Sequence, residues 1–497
     1  MEKEERQDSY SHILKYTGLF GGVQGLNILV GIVRTKFVAL LLGPEGMGLL
    51  ALFNSTIKLV SESTNLGLNM SAVREISDAY ENGDNEKLNH TVKLIRSWSV
   101  ITALLGMFLC LLLSPWLDRW SFTWGNHTLH YAMLSPIIAL MAITGGELAI
   151  LKGVRQLRHL AAISVYNMLA SLVITVPLIY LWGETAIIPS LLFVALAQML
   201  LTIYCSYRQF PLHISFSRPL LGEGVSMVKL GVAFVIAGIF GSGVDFIIRS
   251  HLNNAGSLDI VGMFNAGYMM TMTYGGLVFS AMETDYFPRL SAVNEIGTRL
   301  NETVNKQIEV SILLLSPMLM AFMVGLPILV PLLYSKAFMP VMSMGQVLVF
   351  AMFIRAITLP IEYLPLAKGD SGSYLLMETL YDIMVVVLVV VCFHFWGLTG
   401  TGVALVVAGV LNLVMVLIYM HYKYKYVLSG TVVKYVLMHL PLLALAYLTT
   451  CLKVEWMYWV VGILLVLLST VISLHVLHHK ARLWDSLKNK WRARWQR

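Results

Sequence analysis

The chain has 497 residues, of which 57% are hydrophobic and only 13% are charged, with a formal net charge of +7. This composition excludes an ordinary soluble domain and predicts a polytopic membrane protein. The four cysteines lie in apolar stretches without disulfide or metal-ligand spacing, so we expect small core residues, no metal and no cofactor. The N-terminus is rich in acidic residues, and we expect no cleaved signal peptide.

The first predicted helix, residues 13–42, is almost wholly apolar and ends at Gly43-Pro44. A helix of this length spans about 45 Å, which exceeds a hydrocarbon core of about 30 Å. Arg34 therefore lies in or near the apolar layer, where it is costly unless it faces a cavity or a partner. Gln24, Asn27 and Arg34 recur at helical spacing and share one face. The sequence predicts a polar stripe along a membrane helix.

The same pattern recurs about 215 residues later, which predicts an internal repeat of six helices. The matched positions are Arg34 with Arg249, Gly46-Met47 with Gly262-Met263, residues 71–76 with 291–296, residues 88–92 with 300–304, Lys152-Gly153 with Lys368-Gly369, and Trp182-Gly183 with Trp396-Gly397. Two copies of one module are typical of secondary transporters.

We predict an all-α architecture of about fourteen transmembrane helices, six in each copy and two more at the C-terminal end. The predicted spans are 13–42, 47–72, 95–115, 129–151, 160–182, 186–207, 228–248, 260–288, 310–334, 341–367, 374–396, 399–422, 432–450 and 456–477. The predicted domains are an N-lobe (1–222), a C-lobe (223–426), two extra helices (427–477) and a basic amphipathic tail (478–497).

The basic residues predict the orientation. The N-terminus, the loops after even-numbered helices and the C-terminal tail hold 27 of the 35 Lys and Arg residues, whereas the loops after odd-numbered helices hold six. We therefore expect both termini to be cytoplasmic. Because each copy has an even number of helices, six, both copies insert in the same orientation. This predicts two lobes related by an axis along the membrane normal, with a cavity between them.

Polar residues inside the second and seventh predicted spans are candidate cavity groups. Asn54, Lys58 and Glu62 lie on one face of the second span, which continues to Asn65 and Asn69. The pair Lys58–Glu62 is either self-neutralising or part of a cavity. Asp245 and Arg249 are spaced i,i+4 in the seventh span. They form either a structural salt bridge or an arginine whose counter-ion is exchanged for an anionic substrate.

Further ionisable residues occur in the eighth and tenth predicted spans. Arg355 and Glu362 share a face of the tenth span, and Glu362 lies near the repeat position of Glu147. The shared position is equally consistent with a fold contact. Glu283 and Asp285 lie late in the eighth span, where they are either solvated or part of a proton or cation site.

Two basic segments lie outside the spans. Lys152, Arg155 and Arg158 form a tight loop that is either the positive-inside signal or a phosphate-binding patch at the cytoplasmic mouth. The tail 478–497 is basic, with tryptophans at helical spacing, and we expect it to lie on anionic membrane lipids.

Enzymatic functions are disfavoured. No glycine-rich nucleotide loop lies between a strand and a helix, so we expect no ATP hydrolysis, and we expect no nucleic-acid partner. A membrane glycan polymerase or ligase is expected to carry a large outer loop with catalytic residues. The longest outer loop here, residues 116–128, has His127 and the nearby His130 but no evident partner set. We expect no catalytic site.

Three motifs resemble those of Wzx-type polysaccharide flippases, members of the multidrug/oligosaccharidyl-lipid/polysaccharide exporter superfamily. They are KFVALLLGPEGMG at 36–48, LKGVR at 151–155 and FPRLS at 287–291. The likeness runs from about residue 10 to 425. It implies a MATE-like, V-shaped two-lobe fold in the bacterial inner membrane.

The resemblance also implies a function and a site. The implied cargo is an undecaprenyl-diphosphate-linked oligosaccharide, such as an O-antigen, capsule or exopolysaccharide unit, which moves to the periplasmic leaflet. A polysaccharide polymerase and a chain-length regulator are implied partners. The cavity cations of the family carry over by residue type onto Arg34, Lys58, Arg249 and Arg355. Without an ATPase, we expect coupling to H⁺ or Na⁺, to the glycan gradient, or to both.

Two other transport functions stay open. A lipid II flippase would share the mechanism and the fold. A cation-coupled multidrug exporter would require an acidic, aromatic cavity, and the four basic residues argue against it.

Overall fold

The computed structural model describes the backbone of residues 2–293, 296–452 and 454–481, and the side chains of these residues except 2–22, 24, 481 and positions within 69–70, 218–237 and 273–285. The described chain is almost entirely helical and contains no strand. The helices are α1 (Glu2–Thr64), α2 (Leu68–Glu81), α3 (Asn85–Ser121), α4 (Thr128–Ala132), α5 (Ser135–Gly153), α6 (Leu157–Trp182), α7 (Ile187–Tyr207), α8 (Arg218–Ala255), α9 (Leu258–Tyr268), α10 (Tyr274–Ser291), α11 (Thr298–Leu333), α12 (Val341–Ala367), α13 (Ser371–Tyr424), α14 (Gly430–Thr450) and α15 (Glu455–Ala481).

Three long helical stretches each consist of two membrane-crossing arms joined at a glycine. The stretches Gly25–Thr64, Leu157–Tyr207 and Ser371–Tyr424 have 40, 51 and 54 residues, whereas about 20 residues cross a bilayer. The breaks fall at Gly43 (φ 64°), Gly183 (φ 59°) and Gly397 (φ 55°). Glycine adopts such angles without the steric penalty that a Cβ imposes. The predicted breaks between spans one and two, five and six, and eleven and twelve are confirmed.

The described residues contain nine stretches long and apolar enough to cross a membrane. With the three double stretches, they hold twelve of the fourteen predicted spans. Helices α8 and α9–α10 cover the other two. The prediction of an all-α polytopic membrane protein is confirmed.

The chain forms two units, and the first comprises Met1–Gly262 and Leu333–Ser335. A hydrophobic core in this unit is formed between α2, α3 and α5. It contains the fully buried side chains of Ile76, Ile95 and Ile150. The α3–α5 contact is close, because a Cβ added at Gly146 would lie 2.0 Å from Ser99 Oγ. Helix α8 packs on α1, α2 and α3 within this unit.

The second unit comprises Met263–Leu332 and Lys336–Arg497. Its core contains buried side chains of α11, α12 and α13, and α12 packs along α13. The two helices without a repeat counterpart, α14 and α15, belong to this unit. The Tyr458 hydroxyl of α15 donates to the Val324 carbonyl of α11 at 2.7 Å, and His439 of α14 contacts Ser469 Oγ at 3.2 Å.

The second predicted span, 47–72, is wrong at its C-terminal end. The helix ends at Thr64, and Leu66 (φ 53°) and Gly67 (φ 70°) adopt left-handed angles before α2 begins. Asn65 and Asn69 therefore do not extend the helical face of Asn54. The segment SESTNLG at 61–67 is polar and ends in a glycine, but the helical spacing of its polar residues continues across the turn and conceals the break.

Other helices extend beyond their predicted spans. Helix α3 was predicted at 95–115 but runs over Asn85–Ser121, and α8 and α11 also begin earlier than predicted. Hydropathy detects the apolar part of a helix, whereas the hydrogen-bonded backbone continues into polar solvent. The predicted tail overlaps α15 up to Ala481, and residues 482–497 lie outside the described residues. The lobe boundary at residue 222 stays a prediction.

Candidate functional site

In the first unit, two cations share one carboxylate. Arg249 Nη1 lies 2.9 Å from Asp245 Oδ1, and Lys58 Nζ lies 3.3 Å from Asp245 Oδ2. The Lys58 side chain is 55% exposed, Asp245 33% and Arg249 only 9%. We call these three residues the Asp245 cluster. With all three groups ionised, the cluster has a net charge of +1, and its exposed cation is the lysine.

Arg249 is further fixed by its own helix, because Nη1 also donates to the Asp245 carbonyl at 3.0 Å. A nearly buried guanidinium needs a counter-charge, and Asp245 supplies it. Lys58 comes from the second arm of α1, so its contact with α8 is tertiary. Of the two alternatives for Lys58, the self-neutralising pair with Glu62 is not the one the structure shows, because the ion pair of Lys58 is made with Asp245. A turn further along α1, Glu62 lies against Gly238 of α8.

The predicted polar stripe of the first helix faces α6. Asn27 Nδ2 donates to Ser164 Oγ at 2.9 Å, and Arg34 Nη1 donates to Ser171 Oγ. Both donors and both acceptors are seven residues apart, which is two helical turns. The stripe therefore forms a polar seam between α1 and α6, from which the Arg34 side chain is still exposed. Asn54 is exposed on the same arm as Lys58.

The second unit holds an acidic cluster around one arginine. Arg355 and Glu362 of α12 interact electrostatically with each other and with Glu378 of α13. Glu362 Oε1 accepts a hydrogen bond from Asn412 Nδ2 at 2.7 Å. Asn412 is 6% exposed, and its Oδ1 has no hydrogen-bond partner among the described residues. We call Arg355, Glu362, Glu378 and Asn412 the Glu362 cluster.

The repeat counterpart of Glu362 has a different environment. Glu147 and Arg96 are both 3% exposed and form a two-bond ion pair, with Nε–Oε1 at 2.8 Å and Nη2–Oε2 at 3.2 Å. Ser206 also donates to Glu147 Oε2 at 2.6 Å. Glu147 thus has satisfied, buried partners, as expected of a fold contact.

The predicted basic loop is exposed at its three cationic positions. Arg155 has a left-handed backbone angle (φ 56°) and forms an ion pair with Glu81 of α2. Lys152 and Arg158 are exposed at either side of it. The loop is thus anchored to α2 by one of its cations and presents the other two to solvent.

The side chains of Gln24, Glu283 and Asp285 lie outside the described residues. Within the described part of the chain, no group of three His, Cys, Asp or Glu residues is arranged to hold a metal ion.

Sequence reasoning missed three residues of these sites. Arg96 was counted as a loop charge but is buried in α3. Glu378 lies about one turn into the predicted eleventh span, and an acid inside a membrane span is a signal that could have identified it. Asn412 gives no signal of its own, because its contact with Glu362 crosses 50 residues.

The structure brings Lys58 and Arg249 together on Asp245, places Arg34 against α6 and places Arg355 in the second unit. The four predicted cations are therefore distributed over several helices and both units. Each unit combines basic and acidic residues, with a cationic excess in the Asp245 cluster and an acidic excess in the Glu362 cluster.

A family model described as a polysaccharide biosynthesis protein matches residues 13–294. A comparison with curated protein sequences finds no match. Solved structures with the same fold include the lipid II flippase MurJ in an inward closed conformation, at 13% identity and a TM-score of 0.73, covering 93% of this chain and 99% of that chain.

Two further solved structures share the fold. An inward-facing multidrug resistance MATE family transporter of the MOP superfamily matches at 16% identity and a TM-score of 0.68, covering 80% of this chain and 94% of that one. A MOP superfamily transporter from Pyrococcus furiosus, described by the reverse polarity of its binding pocket, matches at 15% identity and a TM-score of 0.55, covering 82% and 93%. The resemblance drawn from the three sequence motifs is confirmed.

Proposed function

The chain belongs to the polysaccharide biosynthesis protein family, and we propose on that premise that it moves a lipid-linked oligosaccharide across a membrane. The cargo is an undecaprenyl-diphosphate-linked O-antigen, capsule or exopolysaccharide unit. It passes from the cytoplasmic to the periplasmic leaflet of the bacterial inner membrane, with both termini of the protein cytoplasmic.

The observation that carries this proposal is the Asp245 cluster. A diphosphate loses hydration when it enters an apolar layer, and cations with hydrogen-bond donors offset that loss. Lys58 is more than half exposed while it contacts Asp245, so an incoming anion can reach it. Arg249 adds a planar donor group suited to phosphate oxygens.

Asp245 has a second role in this proposal. Its carboxylate holds both cations when no cargo is present, and it competes with the diphosphate for them. Competition of this kind limits the affinity, which a flippase needs because its cargo must leave. Arg34 presents a further exposed cation on the α1–α6 seam, and Arg355 supplies one in the second unit.

We assign ion coupling to the Glu362 cluster. Two carboxylates near one guanidinium hold a net negative charge when all are ionised, and neighbouring carboxylates readily share a proton or a cation. Asn412 presents a buried carbonyl oxygen beside them. H⁺ and Na⁺ both fit this chemistry, and a transport assay under each gradient separates them.

The test is complementation combined with measurement of protein abundance. Deletion of the gene should cause a lipid-linked glycan to accumulate in the cytoplasmic leaflet, and the plasmid-borne protein should clear it. The double variant Arg34→Ala, Arg249→Ala should lose most export at normal abundance, whereas Arg34→Lys should retain part of it, because a point charge still attracts phosphate. Asp245→Asn should bind cargo longer and slow its release; because it also removes the counter-charge of the nearly buried Arg249 and lowers stability, its export is compared per amount of protein present.

Lys306→Ala is the matched control, because Lys306 is exposed and pairs with Glu302 on its own helix. It should export normally. Full export by the Arg34, Arg249 double variant at wild-type abundance would end the cation proposal. Accumulation of lipid II instead of a polymer repeat unit would identify the chain as a lipid II flippase, whose cargo carries the same diphosphate.

A further inference from the structure

The connection between α7 and α8, residues 208–217, exposes apolar side chains outside any helix. Leu212 is 52% exposed, Ile214 39% and Phe216 56%. Residues 211–217 form neither helix nor strand. The three apolar residues alternate along this connection, which is the spacing that places side chains on one side of an extended chain. We call residues 208–217 the linker.

The linker is bonded to α3 at two points. Arg96 Nη1 donates to the Pro211 carbonyl at 2.8 Å, and the Ser215 backbone N–H donates to Ser97 Oγ at 3.1 Å. Arg96 is itself fixed by its buried ion pair with Glu147. The linker therefore lies on neighbouring residues of one rigid helix and is not a free tether.

The depth of these contacts places the linker at the membrane surface. Helix α7 has 21 residues, or about 31 Å, which matches a hydrocarbon core of about 30 Å. Near its C-terminal end, Ser206 Oγ lies 3.3 Å from Arg96 Nη2. Arg96 is therefore level with the end of a helix that just spans the core. Because the linker is held to Arg96 and Ser97, it runs along the surface at that level.

The linker also continues the lipid-facing side of α7. Leu200 and Tyr204 are 54% and 64% exposed on that helix. The Arg208 guanidinium lies over the Tyr204 ring at 5.6 Å from its centroid. An exposed tyrosine with an arginine is typical of the boundary between lipid tails and headgroups. The exposed apolar face of the linker begins directly after this pair.

We propose that the linker is an interfacial anchor whose Leu212, Ile214 and Phe216 insert into the headgroup boundary of the adjacent phospholipid leaflet. Arg96 and Ser97 hold the linker from the protein side, and the lipid covers its apolar side. In a loop surrounded by water, the three apolar side chains would instead remain exposed to solvent, which is unfavourable. The partner is the bilayer itself, and a protein partner is an outcome that the test distinguishes.

The test is a nitroxide scan of the full chain in phospholipid nanodiscs. The four native cysteines are replaced by alanine, and single cysteines at 211–217 are spin-labelled one at a time. Glu86→Cys is the control. Glu86 is exposed on α3 ten residues before Arg96, which places it about 15 Å farther from the membrane and in water. The ratio of oxygen to nickel-chelate accessibility should be several-fold higher at 212, 214 and 216 than at Glu86, with minima at 213 and 215.

Two results would overturn the proposal. Nickel-chelate accessibility at 212, 214 and 216 equal to that at Glu86 would place the linker in water. Low accessibility to both reagents would show that protein covers the face. Because all three residues are exposed, labelling them disturbs no packed core, and retention of the wild-type elution volume checks the fold of each variant.

Discussion

At the scale of single residues, the two repeats give similarly placed glutamates different surroundings. Glu147 and Glu362 each precede a Lys-Gly pair. By the repeat alignment, Arg96 corresponds to Ile308 and Ser206 to Met420, and neither Ile308 nor Met420 is exposed. The second copy therefore lacks counterparts of both partners that bury and neutralise Glu147. Glu362 instead accepts a hydrogen bond from Asn412 and interacts electrostatically with Arg355.

This divergence predicts opposite effects of the same substitution. Glu147→Gln leaves the Arg96 guanidinium buried without its counter-charge, and we expect a loss of about 3–5 kcal/mol of stability and low abundance. Glu362→Gln should retain wild-type abundance but lose the dependence of export on an ion gradient. Thermal unfolding in detergent and glycan export, measured on both variants, check the pair.

A compensating variant controls for the charge. Replacing both partners, as in Arg96→Met with Glu147→Leu, removes the buried charges together and should recover part of the lost stability. Equal loss of abundance in the Glu147→Gln and Glu362→Gln variants would show that both glutamates are fold contacts, and the coupling role of Glu362 would then be abandoned.

Asp370, which caps α13, predicts a pH-dependent stability. Its pKa is held below the usual range by hydrogen bonds from Lys423, Ser373 and Tyr424. Because the pKa is lower in the folded state, the contribution of Asp370 is fully present above the unfolded value of about 3.9 and is lost as pH falls below it. The apparent melting temperature should therefore fall more steeply below pH 4 in the wild type than in Asp370→Asn.

The wild type must be compared with Asp370→Asn, because other carboxylates also titrate below pH 4. Asp370→Asn should have a lower melting temperature than the wild type at neutral pH. When melting temperature is plotted against pH, the curves of the two proteins should converge in acid. If the two plots of melting temperature against pH stay parallel at all pH values, the ion pair of Asp370 with Lys423 contributes nothing to stability.

At the scale of elements, glycines define where paired membrane arms meet. Gly183 and Gly397 are repeat counterparts with nearly the same backbone angles, at φ 59° and ψ −136° and at φ 55° and ψ −138°. A Cβ at Gly397 would meet no atom within 4 Å. Conformational strain, and not a steric clash with neighbours, is therefore the reason for glycine there.

Gly397→Ala should lower stability by about 1–3 kcal/mol through backbone strain. Gly397→Asn should not rescue it, because a ψ near −138° lies outside the left-handed helical region that asparagine tolerates. The control is Gly372→Ala, since Gly372 has an ordinary helical φ and no atom within 4 Å of an added Cβ. That variant should be neutral or slightly stabilised. Thermal unfolding of the three purified variants measures the difference, and equal stability of Gly397→Ala and wild type would refute the strain argument.

The same elements show what a single sequence reveals. Gly43-Pro44, Trp182-Gly183 and Trp396-Gly397 predict their breaks because glycine and proline interrupt apolar patterns locally. The break at Leu66–Gly67 escaped prediction because polar residues spaced three and four positions apart, from Asn54 to Asn69, continue one helical face across it. The i,i+4 pair of Asp245 and Arg249 is local and was predicted. The contact of Lys58 with Asp245 joins residues 187 positions apart, and only the packing of α1 on α8 reveals it.

At the scale of the whole molecule, the distribution of charge predicts how the chain is inserted. The N-terminus, the loops after even-numbered predicted spans and the C-terminal tail carry 27 of the 35 Lys and Arg residues, and the burial of Arg96 removes only one of them from the count. Exposed tryptophans occur at the opposite helix ends, at Trp120, Trp124, Trp182, Trp396 and Trp456. Such residues favour the membrane interface, which fixes the depth of those ends but not the side on which they lie.

Helix α3 offers a direct test of orientation, because two exposed asparagines flank one continuous helix. Asn82 precedes it and Asn126 follows it, and its 37 residues span about 55 Å, enough to cross the bilayer completely. In a chain without native cysteines, Asn126→Cys should react with a membrane-impermeant maleimide in intact spheroplasts, whereas Asn82→Cys should react only after permeabilisation. The two sites share residue type and exposure, so a difference in labelling reports the side of the membrane. Labelling of Asn82→Cys alone in intact spheroplasts would invert the topology, and the proposed direction of cargo movement would then have to be reversed with it.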